Sequence, residues 1–346
     1  MSDSKRSEIL AYVRNNPALS SKEIHEGLSS KIGYATVKRI LTSLISDRMI
    51  ITEGGGRGTR YRTGPAYELF YPTDLNEYFN KEIDEREINE GLNLSLITEV
   101  FNQVDLFSEE EFQSLSALQN VYEEKKTRLS ESAYKKELER LAIDFTWKSS
   151  QIEGNTYSLL ETERLLKEKE TAKGKARDEA VMLLNHKEAI DFIINDPLIL
   201  FPLNRSNIEK IHTLLMTDMG IELAVRTHGV GITGTNYKPP EYEQQIIKAL
   251  GVMCTLVNNK DNVFEKALLL LVLISYIQPF VDGNKRTARI VSNAALIHQG
   301  YCPVSFRTVD ALEYKKAMLL FYEQNNITPF KKIFMDQFEF AVNAYF

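Results

Sequence analysis

The helix that begins near Asn284 carries an unusual load of positive charge. In the stretch SYIQPFVDGNKRTAR, residues 275–289, Lys285, Arg286 and Arg289 all follow closely on that start. A helix N-terminus exposes unpaired N–H groups and about half a positive charge. Each cation placed there costs roughly 0.3–1 kcal/mol. Arg286 and Arg289 share one face at i, i+3. A bound anion removes the conflict, because free amides with guanidinium forks make a phosphate cradle. Asp282 stands at the edge of that cradle. It would repel phosphate unless a divalent cation lay between, and Mg2+ suits one carboxylate plus phosphate oxygens. The competing reading leaves these cations solvated or paired with acidic parts of the chain.

The neighbouring elements must hold this stretch in place. The apolar run ALLLLVLI, residues 267–274, reads as a buried helix that stops near Gln278, where Pro279 and Gly283 punctuate the chain. From about residue 131 the sequence predicts helices over 133–150, 158–170, 178–195, 204–218, 241–258, 263–277, 284–299, 309–324 and 328–344. One interruption, RTHGVGITGTNYKPPE at 226–241, combines β-branched alternation, three glycines and a Pro-Pro stop. It reads as a short hairpin, and exposed hairpins of this sort often touch a ligand or partner.

Upstream, residues 1–65 read as a winged helix-turn-helix domain. An amphipathic helix, SEILAYVRNN, stops before Pro17. A second helix, SSKEIHEGL, has Ser20 or Ser21 as its cap and Glu23 in its first turn. The third, ATVKRILTSLISDRM, has Val37, Ile40, Leu41 and Leu44 as its buried stripe and leaves Lys38, Arg39 and Ser43 on other faces. IITEGGGRGTRYRTG then reads as a two-strand wing; no Gly-Lys-Ser/Thr follows its glycines, so it is not a phosphate loop. With the third helix in a major groove, Arg57, Arg60 and Arg62 would line the wing against a DNA backbone. Modules of this kind also bind proteins. Residues 66–130 read as an acidic, mainly helical connector that includes KEIDEREINEGLN.

The net charge of −6 conceals an asymmetry. Residues 1–65 hold eleven Lys/Arg against six Asp/Glu, a net +5, which leaves −11 for the remainder. A basic head on an acidic body hints at nucleic-acid contact at one end. At 346 residues the chain has room for two or three domains. Cys254 and Cys302 are too few for a disulfide framework and lack companions at zinc-ligand spacing. The first residues, MSDSKRSEIL, contain no apolar signal core, and the run 267–274 is far short of the ~20 residues that span a bilayer. The expectation is a cytoplasmic protein without membrane contact.

The stretch QPFVDGNKRTAR resembles the Fic family signature, His-Pro-Phe-x-Asp/Glu-Gly-Asn-Gly/Lys-Arg-x-x-Arg, at every position but the first. WKSSQIEGN resembles that family's inhibitory helix motif at Ser149, Glu153 and Gly154. VGITGTNYKPP, with Thr233, Gly234, Thr235, Asn236 and Tyr237, resembles its flap, which aligns a target segment by strand addition. The resemblance implies a mainly α fold: a Fic-type helical domain with a β-hairpin flap over 131–346, preceded by the winged-helix domain. Within it the inhibitory helix falls at about 145–155 and the Fic core at about 204–340.

The activity it implies is transfer of AMP from ATP to a protein Ser, Thr or Tyr hydroxyl. By motif position Asp282 would hold Mg2+. Gly283, Asn284 and Lys285 would cradle the α-phosphate with their amides, Arg286 would clamp phosphate oxygens, and Arg289 would take the γ-phosphate. Glu153 would occupy the Arg289 fork and hold the enzyme off. The partners this implies are ATP and a target protein, the chain itself included; the basic head adds DNA as a candidate partner, and a homodimer stays open.

Two positions depart from the pattern. The family's His takes the proton from the attacking hydroxyl, and here that position is Gln278. An amide orients a hydroxyl but accepts no proton near neutral pH, and general-base catalysis is worth about 10²–10⁴-fold. His228, beside the flap, is the one histidine considered as a substitute. Lys285 stands where AMP-transferring members more often have Gly, and it also occurs in members that transfer phosphate, so the transferred group stays open. The alternative is a catalytically inactive, ATP-binding pseudoenzyme that acts as a DNA-binding regulator.

Overall fold

The computed structural model describes residues 2–346, with side chains from residue 4 onward. The head forms α1 (Ser2–Asn15), α2 (Ser21–Gly27), α3 (Tyr34–Ser46) and a hairpin of β1 (Ile50–Glu53) with β2 (Arg60–Thr63). The strands pair antiparallel from Ile50↔Thr63 to Glu53↔Arg60, and a bridge from Leu19 to Tyr61 extends the ladder. Ser20 closes a full capping box with Glu23 at the start of α2. The stripe Val37, Ile40, Leu41 and Leu44 is the buried face of α3. Lys38, Arg39, Arg57 and Arg62 are exposed and Arg60 is half-buried. Arg62 is tied to Glu53 at 2.8 Å across the hairpin, whereas Arg57 makes no ion pair among the described residues.

The connector is less helical than its composition suggests. It runs through α4 (Ala66–Phe70), α5 (Leu75–Phe79), a π turn at Leu96–Val100 that continues into α6 (Phe101–Gln103), and α7 (Glu109–Arg128). The helical reading of KEIDEREINEGLN, residues 81–93, is corrected: apart from one 3₁₀ turn at Ile83–Glu85 the segment is non-helical. Its polar groups bond outward instead. The Asn89 amide donates to the Glu323 carbonyl at 2.7 Å, and the Glu90 carbonyl accepts from the Lys238 amide at 3.1 Å. Those long-range bonds replace the i→i−4 ladder, and Gly91 within the segment weakens helix further.

The body consists of α8 (Glu131–Ile152), α9 (Leu159–Glu168), α10 (Arg177–Asn195), α11 (Arg205–Met216), α12 (Glu243–Asn259), α13 (Val263–Ile277), α14 (Asn284–His298), α15 (Ala311–Gln324) and α16 (Thr328–Tyr345). At its centre α13 is buried on every side; of its residues only Lys266 is not buried. Full burial of each such Leu, Val or Ile contributes about 1.5–3 kcal/mol, so this rod fixes whatever is attached to its ends. Its one buried acid, Glu265, is neutralised by Lys260 at 2.7 Å and accepts the Leu106 amide at 2.6 Å.

The segment 226–241 is not a hairpin. No strand pairs within it; it is an extended excursion with a turn at 233–234 and a parallel bridge from Lys238 to Gly91 of the connector. Two prolines and Gly234 at φ +96° deny it a regular ladder. Among the described residues, no helix is long and apolar enough to cross a membrane. Cys254 and Cys302 are buried free thiols, and burial pushes the Cys254 thiol up to about 11.

Candidate active site

Where α13 ends, Gln278 adopts the left-handed conformation at φ +50° and turns the chain into a loop. The loop closes at Gly283, φ +79°, directly before α14. A Cβ at Gly283 would meet Met216 Sδ at 2.8 Å, so glycine is required twice over, by conformation and by contact. Asn284 shapes the turn from inside. Its Oδ1 accepts the Phe280 amide at 2.9 Å, and its Nδ2 donates to the Phe280 carbonyl at 2.8 Å and to Gln278 Oε1 at 2.9 Å. The Asn284 side chain is therefore spent on the loop and is not offered to a phosphate. What this terminus presents instead is its backbone, since no side chain caps the first turn of α14.

Two further residues, neither singled out by the sequence, brace the loop. His212 stacks flat on Phe280 with ring centroids 3.7 Å apart, and its nitrogens lie 3.0 Å from the Asp282 carbonyl and 3.2 Å from that of Leu223. Burial holds its pKa below the ordinary histidine value. Arg226 is fully buried and pairs with no carboxylate. Its guanidinium donates to the carbonyls of Gln278 at 2.7 Å, His228 at 2.6 Å and Pro240 at 2.6 Å. A single cation thus pins both ends of the excursion to the loop.

The cations behave differently from the amides. Arg286 is buried with one partner, Asp282 Oδ2 at 3.1 Å, and its Nε and Nη1 have none. Burial pushes its guanidinium down from the ordinary value, as for a cation short of counter-charge. Arg289 is fully buried below it. Its Nε donates to Ser149 Oγ at 2.9 Å, and its Nη2 donates to the Ser149 carbonyl at 2.9 Å and to Glu153 Oε1 at 2.8 Å. Arg289 Nη1 is left unpartnered. Lys285 Nζ reaches the other oxygen of Glu153 at 3.4 Å. Burial raises the Glu153 carboxyl, but Arg289 and then Lys285 outweigh it and hold the group below the usual range. Glu153 caps α8, and Gly154, at φ +96°, carries the chain away.

A cavity of about 220 Å³ opens over the loop, bounded by Glu153, Gln278, Asp282–Arg286, Gly231–Thr233 and one face of α15. The structure thus brings together Ser149, Glu153, Asp282, Lys285, Arg286 and Arg289 from opposite ends of the body. Of the flap residues, Thr233 lines the cavity, while Gly234 sits over α15. Thr235 accepts the Tyr237 amide, and Asn236 donates to Asp84. Tyr237 is a buried anchor, donating to the Tyr276 carbonyl at 2.9 Å. None of the five histidines lines the cavity, His228 included; its exposed ring lies outside. Lys315, Met318, Leu319 and Tyr322 do line it and were not foreseen. Their i, i+3, i+4, i+7 spacing on α15 marks one helix face, but nothing in the sequence said which cavity that face would meet.

A larger groove of about 980 Å³ separates the head from the α12–α13 turn. Several of its ionic side chains are already matched, as Arg6–Asp47, Lys260–Glu265 and Lys331–Glu111. The smaller cavity differs in that Arg286 in its wall has two buried guanidinium nitrogens without hydrogen-bond partners.

Residues 202–296, from before α11 through most of α14, match the Fic/DOC family. The chain carries a Fic/DOC family domain. It is 28% identical over 217 residues to a protein adenylyltransferase Fic of Nematostella vectensis, covering 61% of this chain and 50% of that one. With the protein adenylyltransferase Fic of Drosophila mojavensis it shares 26% identity over 227 residues, covering 62% and 43%. The chain thus spans half or less of the length of these curated relatives. Among solved structures, Fic-1 of C. elegans (residues 134–508) has the same fold at a TM-score of 0.60 and 19% identity, covering 68% of this chain and 72% of that one. A Fic family protein of Desulfovibrio desulfuricans superposes with a TM-score of 0.57 at 19% identity, over 68% and 74%.

Proposed function

We propose that this chain is a Fic-type protein adenylyltransferase. It binds ATP at Asp282–Arg289 and transfers AMP to a Ser, Thr or Tyr hydroxyl of a target protein, itself included. One observation carries the reading: three guanidinium nitrogens, two of Arg286 and one of Arg289, are buried without partners at the start of an uncapped helix. Buried cationic donors left unpaired are costly, and a phosphate group satisfies them together with the helix amides.

Among the described residues no group of three or more His, Cys, Asp or Glu side chains is arranged to hold a metal ion. Asp282, whose side chain is 59% exposed, offers the single carboxylate that suits Mg2+ when phosphate oxygens complete its shell. Bound there, the ion would offset phosphate charge.

In the transfer, the target hydroxyl oxygen forms a bond to the α-phosphorus, the bond to the β-phosphate oxygen breaks, and pyrophosphate leaves. The hydroxyl proton must go to a base. Gln278 is not one, so the reaction is slow in this chain. Glu153 restrains it further. Its carboxylate fills the Arg289 fork that the γ-phosphate would take, and the ATP chain is turned from its productive position while that ion pair stands.

A second reading is favoured by Gln278 itself. Its Nε2 donates to the Ser275 carbonyl at 2.7 Å and its Oε1 accepts from Asn284. The amide is committed to the loop and does not reach for a substrate. On this reading the chain is a nucleotide-sensing pseudoenzyme whose winged helix binds DNA through Lys38, Arg39, Arg57, Arg60 and Arg62. Incubation with α-labelled ATP and Mg2+ separates the two. Labelling in the Gln278→His, Glu153→Gly double variant supports the transferase; ATP binding with no label in any variant supports the sensor.

A further inference from the structure

The excursion 226–241 meets the cavity through its middle. Gly231, Ile232 and Thr233 form part of the cavity wall. The next residues are covered by a segment far away in sequence. Arg86 Nη1 donates to the Gly234 carbonyl at 3.3 Å, Asp84 Oδ1 accepts from Asn236 Nδ2 at 2.8 Å, and the Lys238 amide donates to the Glu90 carbonyl at 3.1 Å. A parallel bridge from Gly91 to Lys238 completes the seam. Residues 84–91 belong to the connector and lie outside the Fic-matched span 202–296.

Arg86 is the centre of this seam. It is 7% exposed and ion-paired at 3.0 Å with Glu323, which is 1% exposed. The same Nη1 is shared with the Gly234 carbonyl. Phe79 lies 5.0 Å from its guanidinium, and Tyr78 donates to the other Glu323 oxygen at 2.7 Å. Burial, followed by that bond, drives the Tyr78 hydroxyl well above its ordinary value, so it stays a donor.

Glu323 is on α15, the helix that also supplies Lys315, Met318, Leu319 and Tyr322 to the cavity. The turn at Gly234 presses on the same helix: a Cβ there would lie 3.4 Å from Leu319 Cδ1. The cavity wall, the turn and the buried ion pair therefore share one rigid support.

We propose that residues 84–91 are a strap that sets the position of the 231–238 excursion over the cavity, with Arg86 as the positioning residue. The proposal deepens the transferase reading, since it rests on the excursion being the flap against which a target segment is laid. The flap's free backbone is then the cavity-side part, 230–233, which makes no backbone–backbone hydrogen bond among the described residues. A target would pair there, while the 234–238 part is already occupied by the chain itself.

The test is amide hydrogen exchange on the full chain without nucleotide, with ATP-Mg2+ affinity measured in parallel. Arg86→Met paired with Glu323→Leu replaces the buried ion pair with apolar groups of similar size, which such sites tolerate. Asp84→Asn with Asn236→Ala removes only the second contact. Exchange of the Tyr237 and Lys238 amides, which are hydrogen-bonded to Thr235 and Glu90, is expected to rise at least about tenfold in the first variant and less in the second. Exchange in α13 and ATP affinity should stay within about twofold. Flap exchange that matches the parent in both variants overturns the strap; so does acceleration spread equally into α13, which would make Arg86 a general stabiliser. Failure of ATP binding in the parent sinks the transferase reading and leaves the exchange result standing on its own.

Discussion

The two ends of one short loop have opposite chemistry. At the α13 end, Gln278 has every strong hydrogen-bonding group engaged: its carbonyl by Arg226, its Nε2 by Ser275 and its Oε1 by Asn284. At the α14 end, Arg286 and Arg289 are buried with donors to spare. Satisfied polar groups hold a structure together, and unsatisfied buried ones are tolerated where a ligand completes them. On the proposed reading, the end that would take phosphate keeps donors free, while the end that would move a proton is engaged in holding the loop.

The largest effect should come from reversing that asymmetry. Gln278→His restores a group able to take a proton, and Glu153→Gly clears the Arg289 fork. Together they should raise self-labelling from α-labelled ATP by at least about 10²-fold, the lower bound of general-base catalysis. A double variant no more active than the parent would mean that the loop cannot present a base in the first place.

Next in size is the loss of an open guanidinium. Arg286→Met keeps the packing and deletes the donors, and charge-assisted hydrogen bonds are worth about 1.5–3 kcal/mol each. ATP affinity by calorimetry should fall roughly 10- to 100-fold. Gln278→Ala should leave it nearly unchanged. Equal losses in both would erase the distinction between the two ends.

The sequence disclosed the unsatisfied end far better than the satisfied one. Lys285, Arg286 and Arg289 violate the helix dipole, and a violated local rule is visible without a fold. The helices of the body were legible for the same kind of reason, since apolar period and caps are local signals; the nine expected there lie within a few residues of those observed. What escaped notice were groups that act by satisfying distant backbone. Arg226 reads as one more cation, and only the folded chain shows it gathering three carbonyls. The segments 226–241 and 81–93 read in the sequence as hairpin and helix, because their polar backbone is completed by residues far off in the chain, Lys238 by Glu90 and Asn89 by Glu323, and neither segment shows that partner in its own pattern.

A smaller effect concerns the ion pair between Glu153 and Arg289. Glu153 ionises below its unfolded value near 4.5 because Arg289 and Lys285 outweigh its burial. Its contribution to holding α8 on α14 is therefore complete above about pH 4.5 and is lost as pH falls through the lower folded value. Thermal stability of the parent should drop through that window more steeply than that of Glu153→Gln. At neutral pH the same variant should bind ATP several-fold more tightly, because the fork is no longer contested. A variant with the parent's acid sensitivity would place the source of that sensitivity elsewhere.

The same distinction between spent and unspent cations reaches the head, with the smallest expected effect. Arg62 is paired with Glu53, while Arg57 at the turn between β1 and β2 is exposed and makes no ion pair among the described residues. If the head binds DNA, releasing a counterion from each neutralised phosphate gives a salt slope of about −0.9 per contact. Arg57→Ala should then weaken binding a few-fold at low salt and flatten the slope by about one. Arg62→Ala should do less, because its charge is already half-answered by Glu53 within the hairpin. Fluorescence anisotropy across a salt series reads both. Affinity that ignores salt would assign this face to a protein partner, and equal losses at Arg57 and Arg62 would show that an ion pair on an exposed wing does not withdraw a cation from use.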